Sequence, residues 1–420
     1  MKIDIIAIGD ELTSGRIVNT TSSFAARRLF QAGFDIDAIY TIGDTPQAIG
    51  EALHQALAHV DAVIVTGGLG ATDDDLTTEA VSRALGRPAI VNEEILALIH
   101  QHLRESGGPS QSTGHLEKLA RLPSGAEALN PQEKISGYRL VHDGKPIYFL
   151  PGIPSQMHSL LLDHVLPCLI TWSNSQAGGQ SRAIHQRLFR IFGLAETEVN
   201  HRVAALPLPE EARIGYYPVF PDVHLHLTIK PRAGTDGDAL FARAGAMIED
   251  ALGDAIYGHD QETLPLIVGR LLLAQKLTLA TAESCTGGMI GEWLTAIPGS
   301  SAWYQGGVIS YANHVKEKAL AVPAAMLAAH GAVSSEVAMV MAASARRLCQ
   351  ADLAVAVTGI AGPDGGSAEK PVGTVHIGLA NAEGAWAEHF LFCGDRQRIR
   401  EMTAQTALNM VRKLLRSSYN

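Results

Sequence analysis

Short apolar runs alternate with amphipathic stretches through the first 172 residues of the chain. The apolar runs predict buried strands, which are expected at 3–8, 36–42, 62–65 and 146–150. Helical periodicity predicts helices that follow Asn19, begin at Pro46 and extend over 154–169. Strands that alternate with helices imply right-handed crossovers, so a mainly parallel sheet is expected here.

A different pattern begins after a small, polar stretch at 172–181, which predicts a linker. Apolar and polar residues then alternate with the period of a half-exposed antiparallel strand, the apolar ones being Val223, Leu225, Leu227 and Ile229. A helix is predicted at 239–252. Residues 183–255 are therefore expected to form a small α+β module.

Strands and helices alternate again from about residue 262. The strands are predicted at 277–281, 307–311, 353–357, 374–379 and 386–392, with a last helix from Asp395. No internal repeat connects the three segments. The fold class is therefore predicted as multidomain α/β, with domains at 1–172, 173–258 and 259–420.

Composition narrows the range of partners. The net charge is −10 and the pI about 5.9, and no run of Lys or Arg supplies a basic face, so nucleic acid is not expected as a partner. The four cysteines form no CxxC pair, which argues against a zinc knuckle or a disulfide framework. With no signal-peptide pattern and no apolar run long enough to span a membrane, the chain is predicted to be cytoplasmic.

The string 281–288 (TAESCTGG) carries the strongest chemical signal. It places Ser284 at the carboxyl end of a predicted strand, beside the backbone N–H groups of a helix start that suit an oxyanion or phosphate. A serine nucleophile needs a base, and Lys316 in the string 310–316 is a candidate. Alternatively, Ser284 caps a helix and Lys316 is solvated. Cys285 is either a rival nucleophile or a core residue.

Five strings resemble the PncC-type nicotinamide-mononucleotide amidohydrolase domain, and their order and spacing fit it across roughly 262–416: 281–288, 310–316, 358–366 (TGIAGPDGG), 370–375 (KPVGTV) and 394–400 (GDRQRIR). The resemblance implies hydrolysis of nicotinamide mononucleotide to nicotinic acid mononucleotide and ammonia, with no metal required. It implies that Ser284 is acylated, that Lys316 is its base and that Tyr311 orients or polarises one of them. Thr358, Arg396 and Arg400 complete the implied catalytic set. The implied substrate-binding residues are Thr286, Gly287, Gly288, Asn313, Gly359, Gly362 and Gly365.

Three strings near the amino terminus resemble the molybdopterin-binding-like domain of CinA proteins: 9–15 (GDELTSG), 67–75 (GGLGATDDD) and 151–157 (PGIPSQM). The middle segment fits the KH-like insert of that family, so the whole chain resembles a CinA protein. The implied front ligand site comprises Asp10, Glu11, Asn19, Gly67, Gly68, Gly70, Thr72, Pro151 and Gly152. The family association adds a metal-dependent ADP-ribose pyrophosphatase activity and a homodimeric assembly.

Asp10, Asp74 and Asp75 are candidate Mg²⁺ ligands in that front domain, because carboxylate oxygens suit this hard cation. The alternative is that the aspartates at 73–75 cap the following helix. The sequence departs from the family pattern at Ala71, at Gln156 and in the loop 130–137. A non-catalytic nucleotide- or pterin-binding module is therefore the alternative to pyrophosphate hydrolysis.

The middle segment contains two weaker signals. Gly234 and Gly237 have the GxxG spacing of a KH clamp, but the residues between them include an aspartate and the segment is net acidic, so packing or dimerisation is favoured over RNA binding. His224 and His226 share a strand face and could chelate a metal ion. Without a third ligand, a solvated strand face is favoured for this pair.

Overall fold

The computed structural model describes residues 1–105, 116–130, 137–176, 184–232 and 234–417. Two compact units are present, the first comprising Met1–His185 with Lys230–Gly237 and the second comprising Gln186–Ile229 with Asp238–Asn420. Most of the loop 130–137 and the end of the expected linker at 172–181 lie outside the described residues. The predicted domain boundaries at 172 and 258 remain predictions.

The first unit contains a six-stranded sheet of order β2-β1-β3-β8-β7-β6. Its first four strands are parallel, whereas β7 and β6 run antiparallel to their neighbours. A separate antiparallel pair is formed by β4 and β5. The strands are β1 (Lys2–Ile8), β2 (Asp35–Ile42), β3 (Ala62–Thr66), β4 (Ala89–Val91), β5 (Arg121–Pro123), β6 (Glu127–Ala128), β7 (Tyr138–His142) and β8 (Lys145–Leu150).

The helices around this sheet begin where the sequence supplies caps. Asn19 accepts from the N–H of Ser22 at 3.0 Å, and Thr45 accepts from the N–H of Ala48 at 3.3 Å. The helices are α1 (Asp10–Thr13), α2 (Thr20–Gln31), α3 (Pro46–His59), α4 (Thr77–Ala84), α5 (Glu93–Glu105), α6 (Pro154–Leu160) and α7 (Leu166–Gln176), with a π-helical turn at Leu161–Val165 and a 3₁₀ turn at Lys118–Ala120.

The linker prediction is wrong for residues 172–176, because α7 continues to Gln176. Small polar residues are tolerated in this helix because their hydroxyls bond back to its carbonyls. Thr171 donates to the carbonyl of Pro167 at 2.9 Å, and Ser175 donates to that of Trp172 at 2.7 Å.

The second unit begins with the α+β module that the alternating pattern predicted. Its four strands have the order β10-β11-β9-β12, with β10 and β11 antiparallel. The apolar residues of β11 are buried in a core shared with the module's helices. The elements are β9 (His185–Ile191), α8 (Glu196–Ala204), β10 (Ala212–Val219), β11 (Asp222–Ile229), α9 (Gly237–Leu252) and β12 (Ile256–His259).

The rest of the second unit is a five-stranded sheet of order β14-β13-β15-β16-β17, with helices packed on it. Its first three strands are parallel and its last two are antiparallel. The elements are α10 (Leu264–Gln275), β13 (Leu279–Glu283), α11 (Met289–Thr295), β14 (Tyr304–Ile309), α12 (Asn313–Leu320), α13 (Ala324–His330), α14 (Ser335–Leu348), β15 (Leu353–Gly359), β16 (Thr374–Ala380), β17 (Ala385–Leu391) and α15 (Arg396–Ser417).

The strand predicted at 307–311 begins earlier, at Tyr304, and ends before Ser310. The glycine pair at 306–307 lies inside the strand, where Gly306 has φ +122° beside a shift in the β13–β14 register. In the part of the chain that the structure describes, no helix has the length and apolar character needed to cross a membrane.

Candidate active site

Three parallel strands of the second unit end at one edge of their sheet. Ser284 directly follows β13, and its N–H donates to the carbonyl of Val357 in β15 at 3.0 Å. Ser310 directly follows β14, and its N–H donates to the carbonyl of Glu283 at 2.7 Å. The Ser284 turn is therefore held on both sides, at the sheet edge where open α/β folds commonly bind ligands.

Lys316 lies beneath this turn. Its Nζ is 3.0 Å from Ser284 Oγ, 2.6 Å from the carbonyl oxygen of Ser310 and 3.4 Å from that of Tyr311. The lysine is 1% exposed, whereas Lys318 on the same helix is exposed. The solvated-lysine alternative is therefore wrong, because α12 directs Lys316 inward from a half-buried helix.

Burial lowers the pKa of the Lys316 ammonium, since a charged group loses its hydration in the protein interior. A neutral lysine amine has two N–H donors and one lone pair. The two backbone carbonyls can take the donors, which leaves the lone pair for the Ser284 hydroxyl. In its neutral form the amine could therefore accept a hydrogen bond from the serine hydroxyl.

Glu283 is a residue that sequence reasoning missed. Its carboxylate is 2% exposed and accepts from the hydroxyl of Thr286 at 2.6 Å. It also accepts from three backbone N–H groups, those of Gly288 at 2.9 Å, Ile290 at 3.1 Å and Gly291 at 2.8 Å. The expected anion site at this helix start is therefore occupied by the chain's own carboxylate. The sequence signal for this role was the spacing: Glu283 stands five residues before Gly288, where the helix begins.

The same arrangement settles two alternatives. Gly288, with φ +101°, is the N-cap of α11, so Ser284 does not cap this helix. Cys285 is 5% exposed within an apolar cluster, and burial raises the pKa of its thiol to about 12. A thiol that stays protonated is a poor nucleophile, which favours the core interpretation of Cys285.

Two arginines from the start of α15 reach this edge of the sheet. Arg396 donates to the hydroxyl of Tyr311 and to the carbonyl of Gly362, both at 2.8 Å. Arg400 donates to the carbonyl of Thr286 at 2.8 Å. The Tyr311 ring is 61% exposed, so it presents an accessible aromatic face beside the arginines.

Within the described residues, the other residues predicted for this site make no side-chain hydrogen bond to Ser284 or Lys316. Thr358 donates its hydroxyl to the carbonyl of Ala332 at 2.8 Å instead of to Ser284. Asn313 is the exposed first residue of α12, and Gly359 ends β15, where a side chain would meet Val375. Three glycines of the surrounding loops have positive φ and are favoured there for that reason: Gly287, Gly362 and Gly365.

The first unit contains a cavity of about 190 Å³ at the carboxyl ends of its strands. Among the predicted residues, Gly68, Gly70 and Asp75 line it. Lys118 and Arg121 also line it, and sequence reasoning missed both. They belong to a short, weakly periodic segment, so their position could not be read from the pattern.

The remaining predicted residues of the front site support its loops. Thr72 donates to Asp75, Asn19 caps α2, and Gly67 has φ +100° where a side chain would meet the carbonyl of Ile8. Gly152, after Pro151, lies beside Gly67, where an added Cβ would be 3.4 Å from the Gly67 Cα, an ordinary van der Waals contact.

The predicted Mg²⁺ ligands do not converge as a set. Among the described residues, Asp10, Asp74 and Asp75 form no group of three closely spaced ligands. The N–H of Asp10 instead donates to the carboxylate of Asp44 at 2.8 Å, and the N–H of Asp44 donates to the carboxylate of Asp10 at 3.2 Å; sequence reasoning missed Asp44. Burial, followed by the negative charges of Asp10, Glu11 and Asp74, raises the pKa of the Asp44 carboxyl. Gln156 lies in α6, with its Oε1 buried and without a hydrogen-bond partner among the described residues.

The two histidines of β11 are half-buried, so the solvated-face prediction is wrong. Burial lowers the pKa of His224 to about 4, and the His226 ring packs edge-on against Tyr217. Gly234 occupies a turn and Gly237 is the first residue of α9. Neither histidine belongs to a three-ligand metal group in the described parts of the chain.

Fold and site together define a multidomain α/β protein in which a buried lysine is paired with a serine at a sheet edge. Three family models match in order: "Probable molybdopterin binding domain" over 4–171, "Damage-inducible protein CinA KH domain" over 186–258 and "CinA C-terminal domain" over 261–415. The chain belongs to the CinA family.

Similar proteins span the full length of the chain. The CinA-like protein of Desulfotalea psychrophila is 52% identical over 415 residues, which is 99% of each chain. The CinA-like protein of Geobacter sulfurreducens is 39% identical over 99% of each chain. A solved structure of the competence/damage inducible protein CihA from Agrobacterium tumefaciens is 40% identical, with a TM-score of 0.35, and covers 37% of this chain and 97% of its own.

Proposed function

We propose that the second unit hydrolyses the carboxamide of nicotinamide mononucleotide, releasing nicotinic acid mononucleotide and ammonia. The observation that carries the proposal is the 3.0 Å contact between Lys316 Nζ and Ser284 Oγ, made by a lysine that is 1% exposed. The five strings that resemble the amidohydrolase family supply the substrate class.

The proposed reaction follows from the proton transfers that Ser284 and Lys316 can make. Neutral Lys316 takes the hydroxyl proton as Ser284 Oγ attacks the carboxamide carbon. The resulting ammonium returns that proton to the amide nitrogen, the C–N bond breaks, and ammonia leaves an acyl ester on Ser284. Water then attacks the ester carbonyl while Lys316 accepts its proton, and the serine alkoxide regains a proton as the acid departs.

Arg396 and Arg400 are the cations proposed to recognise the phosphate of the nucleotide. Both guanidiniums already contact the loops around Ser284 through single carbonyls. An arginine fork has donors to spare for phosphate oxygens after such a contact. The exposed Tyr311 ring is proposed to stack on the pyridine ring, held by its bond to Arg396.

The deciding experiment is ammonia release from nicotinamide mononucleotide with a metal chelator present. Ser284→Ala is expected to lower kcat by roughly 10³-fold or more, because among the described residues no other hydroxyl lies within hydrogen-bond distance of Lys316 Nζ. Cys285→Ala is the matched control next to it and is expected to keep near-wild-type kcat. Activity that survives Ser284→Ala but not Cys285→Ala, or a folded wild type that releases no ammonia, would refute the proposal.

A second activity is proposed for the first unit, where Lys118 and Arg121 line the cavity beside the glycine loop. Two cations next to backbone N–H groups favour a pyrophosphate ligand, and ADP-ribose is the proposed substrate, with a divalent cation such as Mg²⁺. Phosphorylated products should form with metal present and be lost in Asp75→Ala, while deamidation continues. Binding of ADP-ribose without turnover would indicate a nucleotide-binding module instead.

A further inference from the structure

Three side chains of the first unit converge near the amino ends of two neighbouring strands, β1 and the edge strand β2. Asp4 lies on β1, Asp37 on β2 and His59 at the end of α3. Asp4 Oδ2 is 3.2 Å and Asp37 Oδ2 is 3.5 Å from His59 Nε2. This Asp4–Asp37–His59 cluster lies at the opposite ends of the strands from the glycine loop, so neither proposed activity accounts for it.

Each side chain of the cluster has its second polar atom already engaged. Asp4 Oδ1 accepts the N–H of Ala38 at 3.0 Å, and Asp37 Oδ1 accepts from Lys2 Nζ at 2.8 Å. His59 Nδ1 lies 2.7 Å from the carbonyl oxygen of Gln55. These contacts fix all three side chains and leave one free atom on each, directed at a common point.

The bond from His59 to a carbonyl determines the tautomer. A carbonyl oxygen only accepts, so Nδ1 carries the hydrogen, and the neutral ring presents an Nε2 lone pair to two carboxylates. Such an arrangement is repulsive unless a cation stands between the three atoms. A bound proton or a bound metal ion would supply that positive charge.

Two observations favour a metal ion. Asp4 is fully buried, and apart from its 3.2 Å contact with His59 Nε2 its Oδ2 has no hydrogen-bond partner within the described residues, although it is aimed into the cluster. Ligand atoms bound ~2.0–2.1 Å from a tetrahedral zinc ion stand roughly 3.3 Å apart, close to the two distances observed here. A backbone carbonyl on the second ring nitrogen is also the usual support of a metal-bound histidine.

We propose that Asp4, Asp37 and His59 bind a divalent transition-metal ion, with zinc as the first choice. One imidazole and two carboxylates suit zinc, and the 38% exposed side chain of His59 leaves a path to solvent for ion entry and a water ligand. The ion would connect β1, β2 and α3 at one end of the sheet.

The test is zinc binding to full-length protein stripped with chelator, by titration calorimetry and by competition with a chromogenic chelator. Wild type is expected to bind one more equivalent of zinc than His59→Gln or Asp4→Asn. His54→Gln changes an exposed histidine of the same helix and is expected to bind as wild type does. Cobalt should give the visible absorption of a tetrahedral site in wild type and in His54→Gln alone.

Thermal unfolding supplies a second readout. The melting temperature of the first unit should rise with zinc concentration in wild type and His54→Gln, because a ligand that binds only the folded state stabilises it. It should not respond in His59→Gln. Far-UV circular dichroism and a cooperative thermal transition without zinc establish that each variant is folded. Equal zinc stoichiometry in wild type and in folded His59→Gln would overturn the proposal and leave the cluster as a protonated ion pair.

Discussion

At the residue scale, the candidate amidase site depends on what surrounds one lysine. In the described parts of the chain, Lys316 Nζ has three oxygen neighbours within hydrogen-bond distance, two carbonyls and one hydroxyl, and no carboxylate among them. A carboxylate there would hold the ammonium charged, whereas carbonyls and burial favour the neutral amine. These surroundings therefore support the base role proposed for Lys316, a residue that is ordinarily protonated.

The lowered pKa of Lys316 predicts a pH dependence. The base must be neutral, so kcat/KM should rise with pH and level off above the pKa of Lys316 in the free enzyme. Because burial lowers that pKa, the midpoint should lie below the ordinary lysine value of 10.5. The measurement is kcat/KM over about pH 6–10. Lys318→Met is the control, and its pH profile is expected to have the same shape as that of the wild type. Lys316→Arg should be inactive throughout, and substantial activity in Lys316→Met would exclude lysine as the base.

At the element scale, a single carboxylate organises the turn between β13 and α11. Glu283 accepts from three N–H groups of the helix start and from Thr286, so strand, turn and helix are tied to one side chain. The negative charge also lies at the positive end of the helix dipole. Ser284, the next residue, is positioned by this network.

Removal of the carboxylate should therefore affect stability and catalysis together. Glu283→Ala leaves buried N–H groups without acceptors and is expected to lower the free energy of unfolding by about 2–4 kcal/mol. It should also lower kcat more than it changes KM, because Ser284 shifts relative to Lys316. Urea denaturation followed by tryptophan fluorescence gives the first quantity. Glu292→Ala, exposed on the same helix, should cost about 0.5 kcal/mol or less, and an equal effect of the two variants would contradict this role.

At the scale of the whole molecule, α15 joins the two parts of the second unit. It packs against the five-stranded sheet, and Gln405 donates to Asp222 in the α+β module at 2.7 Å. Arg412, 1% exposed, donates to the carbonyl and carboxylate oxygens of Asp254 at 2.8 and 3.2 Å. The module is thus held to the candidate amidase part through buried polar contacts.

Substitution of Arg412 tests the contact between the α+β module and the candidate amidase part, and Arg416 supplies the control. Arg412→Ala removes a buried side chain and leaves a carbonyl unpaired, so the second unit should lose about 2–3 kcal/mol of unfolding free energy. Arg416 bonds the same Asp254 carboxylate at 2.7 Å but is 55% exposed. Arg416→Ala should cost less than about 1 kcal/mol. Urea denaturation compares the two, and a larger effect of Arg416→Ala would contradict the assignment.

The sequence predicted what periodicity and local motifs encode. The alternation in β11 and the apolar runs of β1 and β13 identified strands, and the string around Ser284 identified the sheet edge. Residues that come together in the fold from distant parts of the chain are not marked by periodicity or by a local motif. Lys118 enters the front cavity from a 3₁₀ turn, and the Asp4–Asp37–His59 cluster forms only when three separate elements pack together. Glu283 was missed because its apolar neighbours indicated only a strand end, and its spacing from Gly288 was not connected with a helix cap.

The alignment of β13 with β14 also has a kinetic consequence. Glu283 pairs with Ile309, and this pairing sets Ser284 and Ser310 side by side above Lys316. A slip of one residue between the two strands would exchange their faces and separate the serine from the lysine. If the pair is catalytic, ammonia release should return during refolding only when the two strands have reached the correct alignment. The rate of that recovery would therefore measure how fast the alignment forms. Far-UV circular dichroism does not resolve this step, because it reports only the total helix and sheet content.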